Sequence, residues 1–277
     1  MNWAKELFKV EKPIIGMLHL GALPGDPRYK YENSLDELVK LARKDLLALI
    51  EGGVDGVLIS NEFSFPYQRK MDFITVAAMA RIIGEIKSDI SIPFGVDAIS
   101  DGSATLELAC AVDADFCRGT FSGVYVGDGG LYDNDFSKLL RRKTELHLDK
   151  LKMLYFINPE SDRNLDTRSL SEIAKSTVFK AGADGLCVSA NAAGEDVDDN
   201  LLKLVKESVP ETLVLANTGC KPSTIKEKLK FADAAVVGTY FKEDGKLQDE
   251  NGKNVRIDSN RVKKLMDVVY QIRKDLE

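Results

Sequence analysis

Val54-Asp55-Gly56-Val57 is the first of four similar segments in which a helical pattern ends, an aspartate follows, and an apolar strand begins. The other three are Val112-Asp113-Ala114-Asp115-Phe116, Ala183-Asp184-Gly185-Leu186 and Ala232-Asp233-Ala234-Ala235-Val236. The spacing is 58 residues from Asp55 to Asp113, then 71 to Asp184 and 49 to Asp233. Each spacing is close to the length of two strand–helix units, so we expect these turns to precede strands two, four, six and eight of a parallel sheet.

Short apolar runs alternate with longer helical patterns along the chain, which is typical of a parallel sheet. The predicted strands are residues 14–18, 56–59, 93–96, 114–117, 152–157, 185–188, 213–216 and 235–237. The predicted helices are residues 35–51, 73–87, 103–111, 136–147, 170–180, 200–208, 223–230 and 261–273. This order predicts an α/β fold, a single (β/α)8 TIM barrel formed by residues 1–277 as one domain. A doubly wound open sheet is the alternative, but it requires a G-x-G-x-x-G segment that residues 16–25 lack.

The aspartates of the repeat precede their strands, at the end of a barrel that is remote from its ligands. We therefore expect them to be turn residues that bind nearby backbone N–H groups. After strand eight, residues 242–259 are polar and contain Asp244-Gly245 and Asn251-Gly252. These dipeptides predict turns or a small hairpin.

Composition places the chain among cytoplasmic globular proteins. Of its 277 residues, 44% are hydrophobic and 30% charged, which is enough to bury a sizeable core. The net charge of −6, with both signs interspersed, argues against a nucleic-acid or anionic-membrane surface. No apolar run approaches the ~20 residues of a membrane span, and the amino terminus lacks the apolar core of a signal peptide. The four cysteines are far apart, and we expect buried thiols.

Three candidate acid–base residues follow the first three strands, where a barrel binds its ligand. His19 could act as an acid, a base or a phosphate donor. Glu62, next to Asn61, is the best candidate for a general base because partial desolvation raises the pKa of a carboxyl group towards neutrality. A structural pairing of Glu62 with Lys or Arg is equally open. Asp97 and Glu62 on neighbouring strands could share a proton or bind a divalent cation, Mg²⁺ or Mn²⁺, although no metal site is assigned.

A second set of polar residues is predicted to bind substrate. Arg118, after strand four, would point a fork of donors at a phosphate or carboxylate. The glycine-rich loop 121–130, which includes Asp128, is long for such a connection and predicts a lid, a binding loop or a surface excursion. The other predicted substrate-binding residues follow strands five, six and seven: Asn158, Glu160, Ser189 and Asn217.

Barrels often bind phosphate with the loops after strands seven and eight and the start of a short helix. Glycines there let backbone N–H groups approach an anion, and threonines offer hydroxyls. The predicted phosphate-binding residues are Gly194, Thr218, Gly219, Gly238 and Thr239. No lysine stands plainly at a strand end, which argues against a Schiff-base aldolase.

Residues 14–27, Ile-Ile-Gly-Met-Leu-His-Leu-Gly-Ala-Leu-Pro-Gly-Asp-Pro, closely resemble the opening motif of the BtpA family, and more particularly of its SgcQ-like branch. The resemblance covers nearly the whole chain. It continues through Asn61-Glu62-Phe63-Ser64, Asp115-Phe116-Cys117-Arg118, Gly123-Val124-Tyr125, Ser189-Ala190-Asn191-Ala192-Ala193-Gly194, Ala216-Asn217-Thr218-Gly219 and Val237-Gly238-Thr239. It implies a TIM barrel of the ribulose-phosphate-binding type. The family takes its name from a role in photosystem I biogenesis, and its SgcQ-like members resemble proteins of carbohydrate metabolism. Departures from the common pattern at strands two, three and five favour this sugar-type branch.

The predicted function is an enzyme whose partner is a small phosphorylated sugar or similar metabolite. It would transfer a proton next to a carbonyl, as an isomerase, epimerase or aldolase does. Glu62 or Asp97 would be the base and His19 the acid, and Arg118 with Asn158 would stabilise developing negative charge. Two alternatives stay open: a non-catalytic BtpA-type binding or assembly protein, and a metal-dependent hydrolase of phosphate esters. The oligomeric state, including a homo-oligomer, is also open.

Overall fold

Eight parallel strands close into a barrel in the computed structural model, which describes residues 3–30, 34–192, 194–217 and 219–276. The strands are β1 (Ile14–His19), β2 (Gly56–Ser60), β3 (Phe94–Asp97), β4 (Phe116–Gly119), β5 (Lys152–Phe156), β6 (Gly185–Val188), β7 (Leu213–Ala216) and β8 (Ala234–Val237). They follow chain order around the barrel, and β8 closes it against β1 with Ile14 opposite Ala235. The predicted (β/α)8 barrel is confirmed.

Helices cover the outside of the barrel and one end of it. They are α1 (Trp3–Phe8), α2 (Leu35–Gly52), α3 (Phe73–Ile86), α4 (Gly102–Val112), α5 (Phe136–Glu145), α6 (Leu170–Ser176), α7 (Asp199–Ser208), α8 (Ile225–Phe231) and α9 (Ser259–Lys274). Residues Thr177–Ala181 continue α6 as a π-helical turn. The short helix α1 was not predicted. Its Phe8 packs inside the barrel with Ile15 and Phe116, so α1 closes the amino-terminal end.

The repeated aspartates join the strands in pairs. Each carboxylate accepts a hydrogen bond from a backbone N–H near the start of the preceding strand, and the aspartate's own N–H donates to the carbonyl of that same residue. The pairs are Asp55 with Ile14, Asp115 with Phe94, Asp184 with Met153 and Asp233 with Val214, at carboxylate-to-nitrogen distances of 2.7, 3.0, 2.9 and 2.9 Å. These reciprocal pairs link β1 to β2, β3 to β4, β5 to β6 and β7 to β8. The prediction that the aspartates bind backbone N–H groups is confirmed for Asp55, Asp184 and Asp233.

One aspartate of the repeat was misassigned. Asp115, not Asp113, binds the neighbouring strand. Asp113 lies at the end of α4 in the left-handed conformation (φ 53°), and its exposed carboxylate contacts Lys87 at 2.6 Å. Asp is one of the few non-glycine residues that adopt this conformation readily. The spacings of the structural repeat are therefore 60, 69 and 49 residues.

Two irregular segments stand at the carboxyl ends of the strands. The glycine-rich loop after β4 forms a hairpin of Val124–Gly127 with Gly130–Asp133, and Arg163–Asn164 adds a third antiparallel strand. After β8, bridges between Lys242 and Ile257 and between Gln248 and Asn254 form the predicted small hairpin. Within the described residues, no helix combines the length and apolarity that a membrane span requires.

Candidate functional site

A cavity of about 1000 Å³ opens at the carboxyl ends of the strands. Most of the predicted site residues line it. These are His19, Glu62, Asp97, Arg118, Asp128, Glu160, Gly194, Asn217, Gly219, Gly238 and Thr239. Aromatic side chains form much of the remaining wall: Phe65, Tyr67, Tyr132, Phe156 and Tyr240. Asp128 lies at the exposed turn of the hairpin after β4, so that hairpin forms one edge of the cavity.

Arg118 occupies the floor of this cavity and is nearly fully buried. Its Nε donates to Asp97 Oδ2 at 2.9 Å and its Nη1 to Asn217 Oδ1 at 3.0 Å. The guanidinium also lies 4.9 Å from the centre of the Phe156 ring. Although burial opposes its charge, the neighbouring Asp97 carboxylate holds the pKa of Arg118 above its usual value. The structure therefore places a fixed positive charge at the centre of the barrel mouth.

Glu62 and His19 face each other beside this charge. Glu62 Oε2 is 3.9 Å from His19 Nε2, and the Tyr67 hydroxyl donates to Glu62 Oε1 at 3.3 Å. Burial raises the pKa of Glu62, and Arg118 offsets part of that increase. Burial, together with the positive charges of Lys242 and Arg118, lowers the pKa of His19 well below its usual value. These shifts favour a neutral imidazole beside a carboxyl group with a raised pKa, a pair of groups suited to proton transfer.

Glu160 is a second carboxyl group in the cavity with a raised pKa. Burial raises its pKa to about 7, against the opposing effect of Arg118. Its Oε1 accepts a weak hydrogen bond, 3.4 Å long, from Asn217 Nδ2. We predicted Glu160 as a substrate-binding residue, and its environment equally suits a proton donor or acceptor.

Three predicted residues hold the strand ends in place and are not among the residues that line the cavity. Asn61 Oδ1 accepts from the backbone N–H of Ile99 at 2.8 Å. Asn158 makes two hydrogen bonds to the backbone of Ser189, one to its carbonyl at 2.7 Å and one from its N–H at 3.0 Å. Because both polar ends of the Asn158 side chain are engaged, the structure does not place it where it would stabilise charge on a substrate.

The side of the cavity near β7 and β8 carries the predicted phosphate residues. A Cβ atom at Gly219, where φ is 70°, would lie 2.1 Å from Glu195 O, and one at Gly238 would lie 2.9 Å from the His19 ring. Close packing therefore accounts for both glycines without any ligand. Two cationic residues line the same side, Arg261 and Lys221, the second of which is paired with Asp196 at 3.1 Å. Thr218 lies outside the described residues.

Glu62 and Asp97 were predicted to share a proton or to bind a divalent cation between them. Asp97 is bound to Arg118, so a guanidinium occupies the place next to this carboxylate. Among the residues that the structure describes, no group of three or more His, Cys, Asp or Glu side chains could hold a metal ion.

Two residues near the site, Tyr67 and Lys242, were not predicted from the sequence. Tyr67 follows β2 by seven residues, and its hydroxyl contacts Glu62 from the loop. Lys242 lies five residues beyond β8 in a segment that was predicted to form turns or a small hairpin. A lysine in a polar segment is expected to be exposed, so the sequence did not indicate that Lys242 is buried.

Comparisons with known proteins agree on family and fold. The model of the BtpA family matches residues 10–271. The sgc region protein SgcQ of Escherichia coli K12 is 44% identical over 274 residues, which cover 99% of this chain and 100% of SgcQ. The photosystem I biogenesis protein BtpA of Synechocystis sp. is 28% identical over 247 residues, which cover 88% of this chain and 85% of that protein.

Among solved structures, (S)-3-O-geranylgeranylglyceryl phosphate synthase from Thermoplasma acidophilum, in complex with its substrate sn-glycerol-1-phosphate, gives a TM-score of 0.59. The match covers 98% of this chain and 97% of the synthase at 15% identity. At this identity the likeness shows the shared barrel fold.

Proposed function

This chain belongs to the BtpA family, and we propose that it is an enzyme that transfers a proton next to the carbonyl group of a small phosphorylated sugar or similar metabolite. One observation carries the proposal. Glu62 and Glu160, two carboxyl groups with raised pKa values, line the same cavity as the buried cation Arg118. Acid–base groups beside a fixed positive charge are what enolisation of a carbonyl compound requires.

Glu62 is the proposed base. Its carboxylate would remove the proton from the carbon next to the carbonyl, and the electron pair would move onto the carbonyl oxygen. Asp97, the other predicted base, is held by Arg118 and is better suited to orienting that guanidinium. Arg118 would stabilise the developing oxyanion. In an isomerisation the protonated Glu62 would return its proton to the neighbouring carbon, and Glu160 or His19 would protonate the oxygen; in an epimerisation Glu160 or His19 would protonate the opposite face of the same carbon. In a retro-aldol cleavage Glu62 would instead remove the hydroxyl proton at the next carbon, and the bond between the two carbons would break to form the same enolate.

The phosphate group is proposed to bind near β7 and β8, at Gly194, Thr218, Gly219, Gly238 and Thr239. Lys221 and Arg261 on the same side of the cavity would add charge attraction. The cavity floor is less suited to a phosphate, because Asp97, Glu62 and Glu160 surround its single arginine. This charge distribution supports a substrate with its anionic end towards β7 and β8 and its carbonyl towards Arg118.

The test has two stages. A panel of sugar phosphates is first screened for compounds that raise the melting temperature. Each stabilising compound is then incubated with the protein in D2O, and exchange of the C–H next to the carbonyl is followed by NMR. We expect Glu62→Gln to lose exchange while keeping the thermal stabilisation, because Gln preserves size but cannot accept the proton. Glu145→Gln, on the exposed side of α5, is the matched control and should exchange like the wild type.

The relationship to the photosystem I biogenesis protein of Synechocystis supports a second candidate, a binding or assembly protein without catalytic activity. In that case no phosphorylated compound would exchange protons with D2O, whether or not it stabilised the fold. Full exchange activity in Glu62→Gln would instead contradict the role proposed for Glu62.

A further inference from the structure

A buried lysine lies behind His19, outside the cavity. Lys242 is fully buried, and its Nζ donates to Asn254 Oδ1 at 2.8 Å. It also lies 3.9 Å from Oδ2 of Asp45, a buried residue of α2. Lys242 is not among the residues that line the cavity. A buried lysine must be paired or hydrogen-bonded to offset its desolvation, and here the hairpin after β8 and α2 supply the partners.

Asn254 connects this lysine to the site. Its Nδ2 donates to the backbone carbonyl of His19 at 2.6 Å. Because Lys242 takes the amide oxygen, the NH2 end of Asn254 is directed at β1. The two residues thus form a short hydrogen-bonded link from the buried lysine to the last residue of the first strand.

The charge of this cluster is positive. Asp45 faces two cations, Lys242 and Arg256, and the Arg256 Nη1 is 3.0 Å from Asp45 Oδ2. Asp45 Oδ1 also accepts a hydrogen bond from the Ile257 backbone N–H at 3.0 Å. The Asp45 carboxylate therefore links the hairpin to α2. Because it balances only one of the two cations, Lys242, Arg256 and Asp45 together carry one net positive charge beside β1.

We propose that Lys242 and Asn254 are positioning residues for His19, which they hold from outside the cavity so that its ring faces Glu62. The catalytic meaning of this inference rests on the proposed function, but the placement of His19 does not. Gly238 completes the arrangement, since a Cβ atom there would lie 2.9 Å from the His19 ring, which leaves no room for a side chain.

The position of Lys242 also affects which member of the His19–Glu62 pair carries a proton. The groups that act on His19 are Glu62, at 3.9 Å, and the two cations Lys242 and Arg118. After burial, the charge of Lys242 is the main cause of the lowered pKa of His19, and it opposes the raised pKa of Glu62. Lys242 therefore favours a neutral imidazole beside an ionised carboxylate. Burial lowers the pKa of Lys242 itself to about 8, so this influence weakens above that pH.

NMR of the histidine side chains tests the proposal without a substrate. The chain contains two histidines, and His147 is exposed in the turn after α5, so it serves as an internal reference. We expect Lys242→Met to raise the titration midpoint of His19 and Asn254→Ala to change the ring chemical shifts of His19. Lys228→Met is the matched control, because Lys228 is also a buried lysine but does not act on His19. It should leave the His19 signals unchanged.

Unchanged His19 signals in both Lys242→Met and Asn254→Ala would overturn the proposal. If Lys242→Met does not fold, Asn254→Ala alone decides it, because that side chain is only half buried. The outcome is separable from the proposed function. If the His19 signals respond but no sugar phosphate exchanges protons, the positioning role is supported and the enzymatic role is contradicted. If a sugar phosphate exchanges protons but the His19 signals do not respond, the enzymatic role is supported and the positioning role is contradicted.

Discussion

Replacing Asp115 with alanine should destabilise the barrel far more than changing its neighbour Asp113, although both belong to the same five-residue segment. Asp115 Oδ2 accepts the N–H of Phe94 at 3.0 Å, and Phe94 is buried. A hydrogen bond to a charged group contributes about 1.5–3 kcal/mol, and its removal leaves the N–H without an acceptor. We therefore expect Asp115→Ala to lower the free energy of unfolding by about 2 kcal/mol.

The control is Asp113→Asn, since Asn also tolerates the left-handed conformation at that position. It loses only an exposed ion pair with Lys87, worth about 0–1 kcal/mol. Urea unfolding followed by circular dichroism measures both changes, provided that the m-value stays constant. Asp115→Asn, which keeps an acceptor oxygen without the charge, should fall between the two. Equal losses in Asp113→Asn and Asp115→Ala would refute the assignment of Asp115 to the strand pairs.

Three further predictions concern the cavity. Arg118→Met leaves Asp97 buried without its partner and should cost about 3–5 kcal/mol in urea unfolding at neutral pH, with a smaller loss in acid, where Asp97 is protonated. For Glu160, burial raises the pKa from 4.5 to about 7 in the folded protein, so its contribution to stability is complete below pH 4.5 and is lost as the pH rises through 7. Glu160→Gln should remove this decline between pH 4.5 and 7 in melting curves, and an unchanged slope would contradict the raised pKa. Gly238→Ala should displace the His19 ring, at a cost of about 1–3 kcal/mol and with a change in the His19 NMR signals.

The barrel was predictable because its signal is repeated along the chain. Eight apolar runs and four aspartate turns place every barrel strand to within about two residues, and the closed sheet follows from their number. The helix α1 was missed because its six residues are too few to show a helical period. The choice between Asp113 and Asp115 could not be made from the sequence, since both stand between a helix and a strand and only the fold shows which faces Phe94.

The candidate site was predictable where it depends on strand ends alone. His19, Asp97 and Arg118 end their strands or lie one residue from the end, and parallel strands bring their ends together. Asn158 also follows a strand, but both ends of its side chain are hydrogen-bonded to the backbone of Ser189 and are not free to bind a substrate. Asn254 lies 235 residues from His19, and no local pattern indicates that the two meet.

The most direct measurement of the central claim is deuterium exchange into a stabilising sugar phosphate. We predict exchange of the C–H next to the carbonyl with the wild-type protein and its loss in Glu62→Gln, with the thermal stabilisation by the same compound preserved in the variant. If every compound that stabilises the wild type fails to exchange, or if Glu62→Gln exchanges as fast as the wild type, proton transfer by Glu62 at the barrel mouth is contradicted.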